Sequence, residues 1–132
     1  MKCNETTIRV RYGETDQMGV VYHGNYPNYL EIGRIEWLRN LGVSYKQMEL
    51  DGIMLPVISL SLKYKKSACY DDVIQVKTQL VKMPTATIEF NYEITNQEGE
   101  ILTFGNTILA FISMKTNRPT RCPKFILDKL QN

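Results

Sequence analysis

A single stretch of this chain, from His23 to Leu41, repeats its apolar residues at helical spacing over several turns. Almost everything after Ile53 repeats them at every second residue instead. That order leaves few folds open. A long helix must bury its apolar stripe, and the partner this chain offers is its own sheet. The expected fold class is α+β, with a curved antiparallel sheet wrapped around one face of a long central helix. At 132 residues the chain fits one domain spanning residues 1–132, with no internal repeat, linker or low-complexity tract.

Taken in order, Thr6 to Tyr12 alternates Ile8 and Val10 against Arg9 and Arg11, a strand that Gly13 ends. Glu14 to Tyr22 reads as a loop, with Val20, Val21 and Tyr22 apolar enough to turn inward. The helix is expected to begin at His23 or Gly24, with Asn25 as its capping residue type and Pro27 confined to the first turn. Leu30, Trp37, Leu38 and Leu41, joined by Ile35, make its apolar face, and Gly42 stops it. Glu31, Arg34, Glu36 and Arg39 charge the opposite side. Gly33 lies in the interior, where glycine costs about 1 kcal/mol relative to alanine. Either it permits close approach to a sheet or it is a tolerated weak spot, and both readings stand at this level.

Ser44 caps an expected short helix that runs to Leu50. Strands are expected over Met54 to Lys65, Val73 to Lys82, Ala86 to Thr95 and Ile101 to Met114. Asp71-Asp72 and Asn96 to Gly99 have turn composition, and Met83-Pro84 breaks a run. Lys124 to Leu130 reads as a terminal helix. A sheet of this kind leaves open edges, so edge-to-edge dimerisation is expected.

Composition narrows the function. A formal net charge of +2, with no like-charge run longer than Lys65-Lys66, argues against a nucleic acid or other polyanion as partner. One histidine and three scattered cysteines, Cys3, Cys69 and Cys122, make a poor zinc site and suit reduced thiols. Neither a metal nor a cofactor is expected. The N-terminus lacks an apolar signal region, and no stretch has the length of a membrane span. The expectation is a cytoplasmic protein without stable membrane insertion.

The chemistry concentrates before and at the helix start. Asp16 precedes His23, the one histidine of the chain, by seven residues, with glycines at 19 and 24. A helix N-terminus leaves N–H groups unpaired and carries partial positive charge, so it can polarise a carbonyl or hold an oxyanion. Asp16 supplies a carboxylate fit for a general base or a nucleophile, and His23 a group that orients a carbonyl or shuttles a proton. Gly24 would let a substrate approach the backbone closely. Together these parts suit acyl transfer or hydrolysis. Each also has a plain alternative: an acid in a loop stabilises turns, and a histidine at a helix start caps or packs.

The run Asp16-Gln17-Met18-Gly19-Val20-Val21-Tyr22-His23-Gly24-Asn25-Tyr26, continued by Tyr29-Leu30-Glu31, Arg34 and Trp37-Leu38, resembles the active-site signature of the 4-hydroxybenzoyl-CoA thioesterase family. Its Tol–Pal-associated branch of acyl-CoA thioesterases is the most similar, and the likeness extends through Tyr70-Asp71-Asp72, Asn96 to Glu100 and Arg118-Pro119. The resemblance implies the hotdog fold and an acyl-CoA thioesterase. It further implies a homo-oligomer, a dimer or dimer of dimers, with sites at the dimer interface. By the same resemblance Asp16 is the catalytic carboxylate, His23 and Gly24 offer the polarising backbone, and Tyr22 and Asn25 shape the substrate site. The position of His23 is a tyrosine in some members of that family. Lys63, Lys65, Lys66, Arg118 and Arg121 are candidates for the anionic groups of CoA by region alone. Acting on acyl-ACP instead, or binding acyl-CoA without catalysis, are the alternatives within the fold. A dehydratase would pair its histidine with an acid on another segment, unlike the acid-first loop here.

Overall fold

The alternation of Ile74, Val76, Thr78 and Leu80 builds a strand in which each of these four side chains is buried and the residues between them face outward. Ile88, Phe90, Tyr92 and Ile94 do the same in the next strand. The computed structural model describes residues 2–131. Its strands are β1 (Cys3–Arg9), β2 (Ile53–Met54), β3 (Val57–Tyr64), β4 (Val73–Leu80), β5 (Thr87–Thr95), β6 (Ile101–Ala110), β7 (Ile112–Ser113) and β8 (Arg118–Pro119). Its helices are α1 (Tyr26–Leu41), α2 (Tyr45–Leu50) and α3 (Lys124–Gln131). Five strands form one antiparallel sheet in the order β1-β4-β5-β6-β3, and three short ones form a second, β2-β7-β8.

Two glycines seat α1 on the large sheet. A Cβ at Gly33 would lie 2.6 Å from Thr78 Oγ1 and 2.8 Å from Val76 Cγ1, so the helix backbone rests directly against β4. A Cβ at Gly105, on β6, would lie 2.9 Å from Leu30 Cδ1, which therefore drops into a notch in the sheet. Close approach is thus what Gly33 provides. Trp37 adds an edge-on contact with Phe90 at 4.9 Å, and its indole N–H donates to Lys2 O at 3.2 Å. The main contacts of α1 are with β1 and β4, and most of β3 stays exposed, Leu62 being its partly buried residue.

Some expected boundaries are corrected. The first strand runs from Cys3 to Arg9 rather than from Thr6 to Tyr12, because its ends follow its pairing from Gln79 to Val73 of β4. Val10, just past the strand, still pairs through its N–H to Asp72 O at 2.8 Å and through its carbonyl, which accepts from Asp71 N–H at 3.1 Å. The run Met54 to Lys65 is two strands in two sheets, split at Leu55-Pro56. The run Ile101 to Met114 splits likewise at Phe111. Both breaks fall where the chain passes between the large sheet and the small one, and Leu55 and Phe111 turn into the core there. The α-helix proper begins at Tyr26, after a 3-10 turn over His23–Asn25. Asn25 makes no side-chain cap, and Leu41 is only half-buried, while Tyr26 and Tyr29 join the buried stripe. Of the loop residues expected to turn inward, Val21 is buried, Val20 is intermediate and Tyr22 is exposed.

Other features fall as read. Gly42 ends α1 with φ +92°, Ser44 Oγ accepts from Gln47 N, and Asn96 Oδ1 accepts from both Glu98 N and Glu100 N across the hairpin turn. No described helix is long and apolar enough to cross a membrane.

Gly33→Ala tests the seating. Alanine is the better helix former by about 1 kcal/mol, yet its methyl would overlap backbone-anchored side chains of β4, and overpacking costs about 1–3 kcal/mol. Urea denaturation should show net destabilisation; a more stable variant would mean that the helix does not rest on β4 at this point.

Candidate active site

Asp16 opens a tight turn. Its N–H donates to Val20 O at 2.8 Å, Gly19 N–H returns to Asp16 O at 3.0 Å, and Met18 N–H donates to the carboxylate Oδ1 at 2.8 Å. Gly19 takes φ +79°, a conformation that side chains disfavour. Thr15 and Val21 bridge across the turn, and Val20 bridges to Cys69. The carboxylate is thus pinned by one oxygen and solvent-facing, and no donor to Oδ2 occurs among the described residues.

The helix head is fixed from the other side. Tyr64, on β3, donates its hydroxyl to His23 O at 3.1 Å, and its ring meets that of Tyr26 edge-on at 5.2 Å. Tyr26 Oη accepts from Ala68 N–H. The N–H groups of His23 and Gly24 head the 3-10 turn, and no acceptor for either is found among the described residues. The ring of Tyr22 lies over Gly24, where a Cβ would come within 2.6 Å of Tyr22 Cε2, and stacks at a tilt on His23 at 4.5 Å. A side chain at position 24 would thus meet the exposed Tyr22 ring and have to push it aside.

Asp16, Tyr22 and Asn25 line one open cleft of about 920 Å³ together with Tyr12, Gly13, Thr15, Gln17, Gly19 and Tyr70. The rings of Tyr12 and Tyr70 meet edge-on at 5.5 Å on its rim. His23 and Gly24 adjoin this cleft through the chain but are not part of its lining. Of the cations considered for CoA, Lys66 is already paired with Glu100 at 2.6 Å. Among the described residues no group of three His, Cys, Asp or Glu side chains is placed to hold a metal ion. All three cysteines are free, and burial pushes the Cys122 thiol up to about 12.

Glu14 ties these pieces together, and the residue pattern did not single it out. Its Oε1 accepts from Arg11 N–H and from the Tyr29 hydroxyl, each at 2.9 Å, and its Oε2 takes the Arg11 guanidinium at 2.9 Å. Its carbonyl accepts from Tyr22 N–H at 2.9 Å and from Asn25 Nδ2 at 2.8 Å. So Asn25 braces the loop instead of capping the helix. A signal was present: Glu14 stands three residues after Arg11, the N3 position from which a glutamate reaches back to the N-cap N–H in a capping box. Burial works to raise the Glu14 carboxyl. The Arg11 N–H, the Tyr29 hydroxyl and the Arg11 guanidinium outweigh it and hold the group below its ordinary value. Burial, then the Glu14 carboxylate, pushes the Tyr29 hydroxyl well up.

A family model described as the thioesterase-like superfamily matches residues 10–130. The crystal structure of the DHNA-CoA thioesterase from Staphylococcus aureus superposes with a TM-score of 0.92 at 40% identity, covering 99% of this chain and 88% of that one. A Bacillus subtilis protein provisionally named acyl-CoA thioesterase YneP is 38% identical over 101 residues, 76% of this chain and 73% of its own length. A 4-hydroxybenzoyl-CoA thioesterase with 4-hydroxybenzoyl-CoA bound shares the fold, with a TM-score of 0.88 at 17% identity over 98% of this chain and 99% of that one. Its architecture, a long helix against a curved antiparallel sheet, is the hotdog fold.

Because the folded Glu14 carboxyl titrates below its ordinary value of 4.5, its network stabilises the fold above that pH and fades as pH falls through the lower, folded value. Glu14→Gln should cost about 1–3 kcal/mol near pH 7, and the gap to wild type should close under acid. Urea denaturation across a pH series checks this, and a gap that persists unchanged into acid would contradict it.

Proposed function

The chain belongs to the thioesterase-like superfamily, and from that premise we propose that Asp16 and the helix head at His23 and Gly24 carry its hydrolysis of acyl-CoA thioesters. One observation supports this most. The Asp16 carboxylate, with an oxygen open to solvent, shares a cleft with Tyr22 and Asn25, the two residues that flank the unpaired N–H groups of His23 and Gly24. A thioester carbonyl set on those N–H groups gains positive potential where negative charge develops in the transition state.

Asp16 then acts in one of two ways. As a general base it takes a proton from water while the hydroxyl adds to the carbonyl carbon; collapse of the adduct breaks the C–S bond and releases CoA thiolate and the acid. As a nucleophile it forms a mixed anhydride and expels the thiolate, and water then cleaves the anhydride. His23, exposed beside the Tyr22 ring, is the group proposed to orient the carbonyl or carry a proton. Gly24 admits the aromatic cover over the helix head. CoA thiolate leaves protonated by solvent, and neither route calls on a metal or cofactor.

The site is proposed to be completed by a second copy, in a dimer or dimer of dimers. The support is β3, an edge strand whose backbone is unpaired on one side. Val57, Ile58, Leu60 and Tyr64 remain 42%, 59%, 45% and 48% exposed on it. Pairing of two β3 edges would bury these side chains next to the Tyr64–His23 contact, and so next to the helix head. Free cysteines and an acyl-CoA substrate are consistent with a cytoplasmic setting.

Asp16→Asn should lower kcat by at least about a hundredfold in a thiol-release assay on acyl-CoAs, within the range of a lost general base. Near-normal hydrolysis by the purified variant would remove Asp16 from the mechanism. Leu60→Glu should shift sedimentation from a dimer or tetramer to a monomer and lower activity with it; an unchanged oligomer would place the interface elsewhere.

A further inference from the structure

We infer that Glu14 and Tyr29 form a positioning pair for this hydrolysis, holding the Asp16 turn at a set distance from the helix head; the inference rests on Asp16 being the reacting carboxylate. Neither residue lines the Asp16 cleft; both line a smaller one beside it, with Asn25 common to the two. Both act through Asp16.

The hydrogen bonds divide the site into two bodies. Residues Thr15 to Val21 are closed on themselves by the Asp16–Val20 and Gly19–Asp16 bonds and the Thr15–Val21 bridge, so they move as one piece. The second body is α1, seated on the sheet, with the Tyr29 residue only 1% exposed. Glu14 sits at the root of the first body. Tyr22, at its far end, returns to Glu14 through its N–H, so both ends of the turn hang from one residue. Two side-chain bonds then join that root to the helix: Asn25 Nδ2 to Glu14 O at 2.8 Å, and the Tyr29 hydroxyl to Glu14 Oε1 at 2.9 Å. Asn25 lies in the 3-10 turn, ahead of the α-helix, and is itself part of the head to be placed. Tyr29 is inside the buried stripe and supplies the fixed reference.

The chemistry of the pair suits that task. Every one of the Glu14 carboxylate bonds is charge-assisted, and both oxygens are occupied, so the side chain has little freedom to swing. Its side chain is 16% exposed, whereas that of Arg11 is 82% exposed. An ion pair to so exposed an arginine adds little stability of its own. Its geometric effect is larger: it fills Oε2 and turns Oε1 toward Tyr29. In Glu14→Gln a donor NH₂ must face either the guanidinium or the Arg11 N–H and Tyr29 hydroxyl, and one side of the brace is lost. In Tyr29→Phe the ring still fills the core, and a single bond to the loop disappears.

Glu14→Gln, Tyr29→Phe, the double variant and Asp16→Asn would be purified as full chains. Each would be assayed by thiol release with whichever of acetyl-, hexanoyl- and benzoyl-CoA the wild type turns over fastest, alongside thermal unfolding. A misplacement of the order of 1 Å at a reacting group costs up to about a hundredfold. Tyr29→Phe and Glu14→Gln should therefore each lower kcat by about tenfold or more, with KM within about threefold of wild type. Because the two residues share one bond, the double variant should be little worse than Glu14→Gln alone. Wild-type kcat in folded Tyr29→Phe, a loss confined to KM or to melting temperature, or additive losses in the double variant would overturn the pair. If Asp16→Asn is inactive while Tyr29→Phe and Glu14→Gln turn over normally, only the positioning role fails. If Asp16→Asn is active, the reading of Asp16 fails, and the pair with it.

Discussion

The close seating of α1 on the large sheet is the constraint from which the site follows. Interiors pack at crystal-like density, so a helix can approach a sheet only as far as its side chains allow. Gly33 removes a side chain from the helix over Thr78 and Val76, and Gly105 removes one from the sheet under Leu30. With those notches in place the helix has one resting position, and Trp37 on Phe90 locks it along its length. The N-terminus of α1 is thereby placed, and with it the unpaired N–H groups of the preceding turn. The Asp16 loop is then fastened to this fixed object through Glu14, Asn25 and Tyr29, while Tyr64 holds the helix head from β3.

Polar loops usually carry functional groups at some cost in order, and this one limits that cost by internal hydrogen bonding. Asp16 keeps one oxygen on the Met18 N–H and offers the other to solvent, so its direction is defined without its charge being neutralised. The same economy governs the helix head. Tyr64 takes the His23 carbonyl while the N–H of His23 is left without an acceptor among the described residues. The Tyr22 ring lies over Gly24 and against His23, beside the helix head. Aromatic side chains at positions 12, 22 and 70 give the cleft a rim that is apolar in body and polar at the tips.

Much of this was legible in the residues themselves, and the exceptions have physical causes. The strands around Val76 and Phe90 could be read because one face of each is buried and the other is not, the condition under which alternation carries information. Ser44, Gly42 and the Asn96 turn could be read because their chemistry is local. Breaks at Leu55 and Phe111 could not, since a chain that passes from one sheet to another stays apolar throughout. Asp16 and its neighbours stood out through a long motif. Glu14 did not, because its meaning lies in a bond to Tyr29, fifteen residues away, on an element whose apolar face reads as Leu30, Trp37, Leu38 and Leu41 with Ile35. A glutamate in a loop otherwise reads as solvated.

The account stands on one geometric claim: the thioester carbonyl rests on the helix head, with the Asp16 carboxylate aimed at its carbon. A crystal structure with a non-hydrolysable acyl-CoA analogue, its thioester sulfur replaced by a methylene group, tests this most directly. The account predicts the carbonyl oxygen within about 3 Å of the His23 or Gly24 nitrogen, as an oxyanion site requires. It also predicts an Asp16 oxygen within about 3.5 Å of the carbonyl carbon, or one water away from it. A carbonyl oxygen held elsewhere, with Asp16 beyond reach of the carbon, would contradict it.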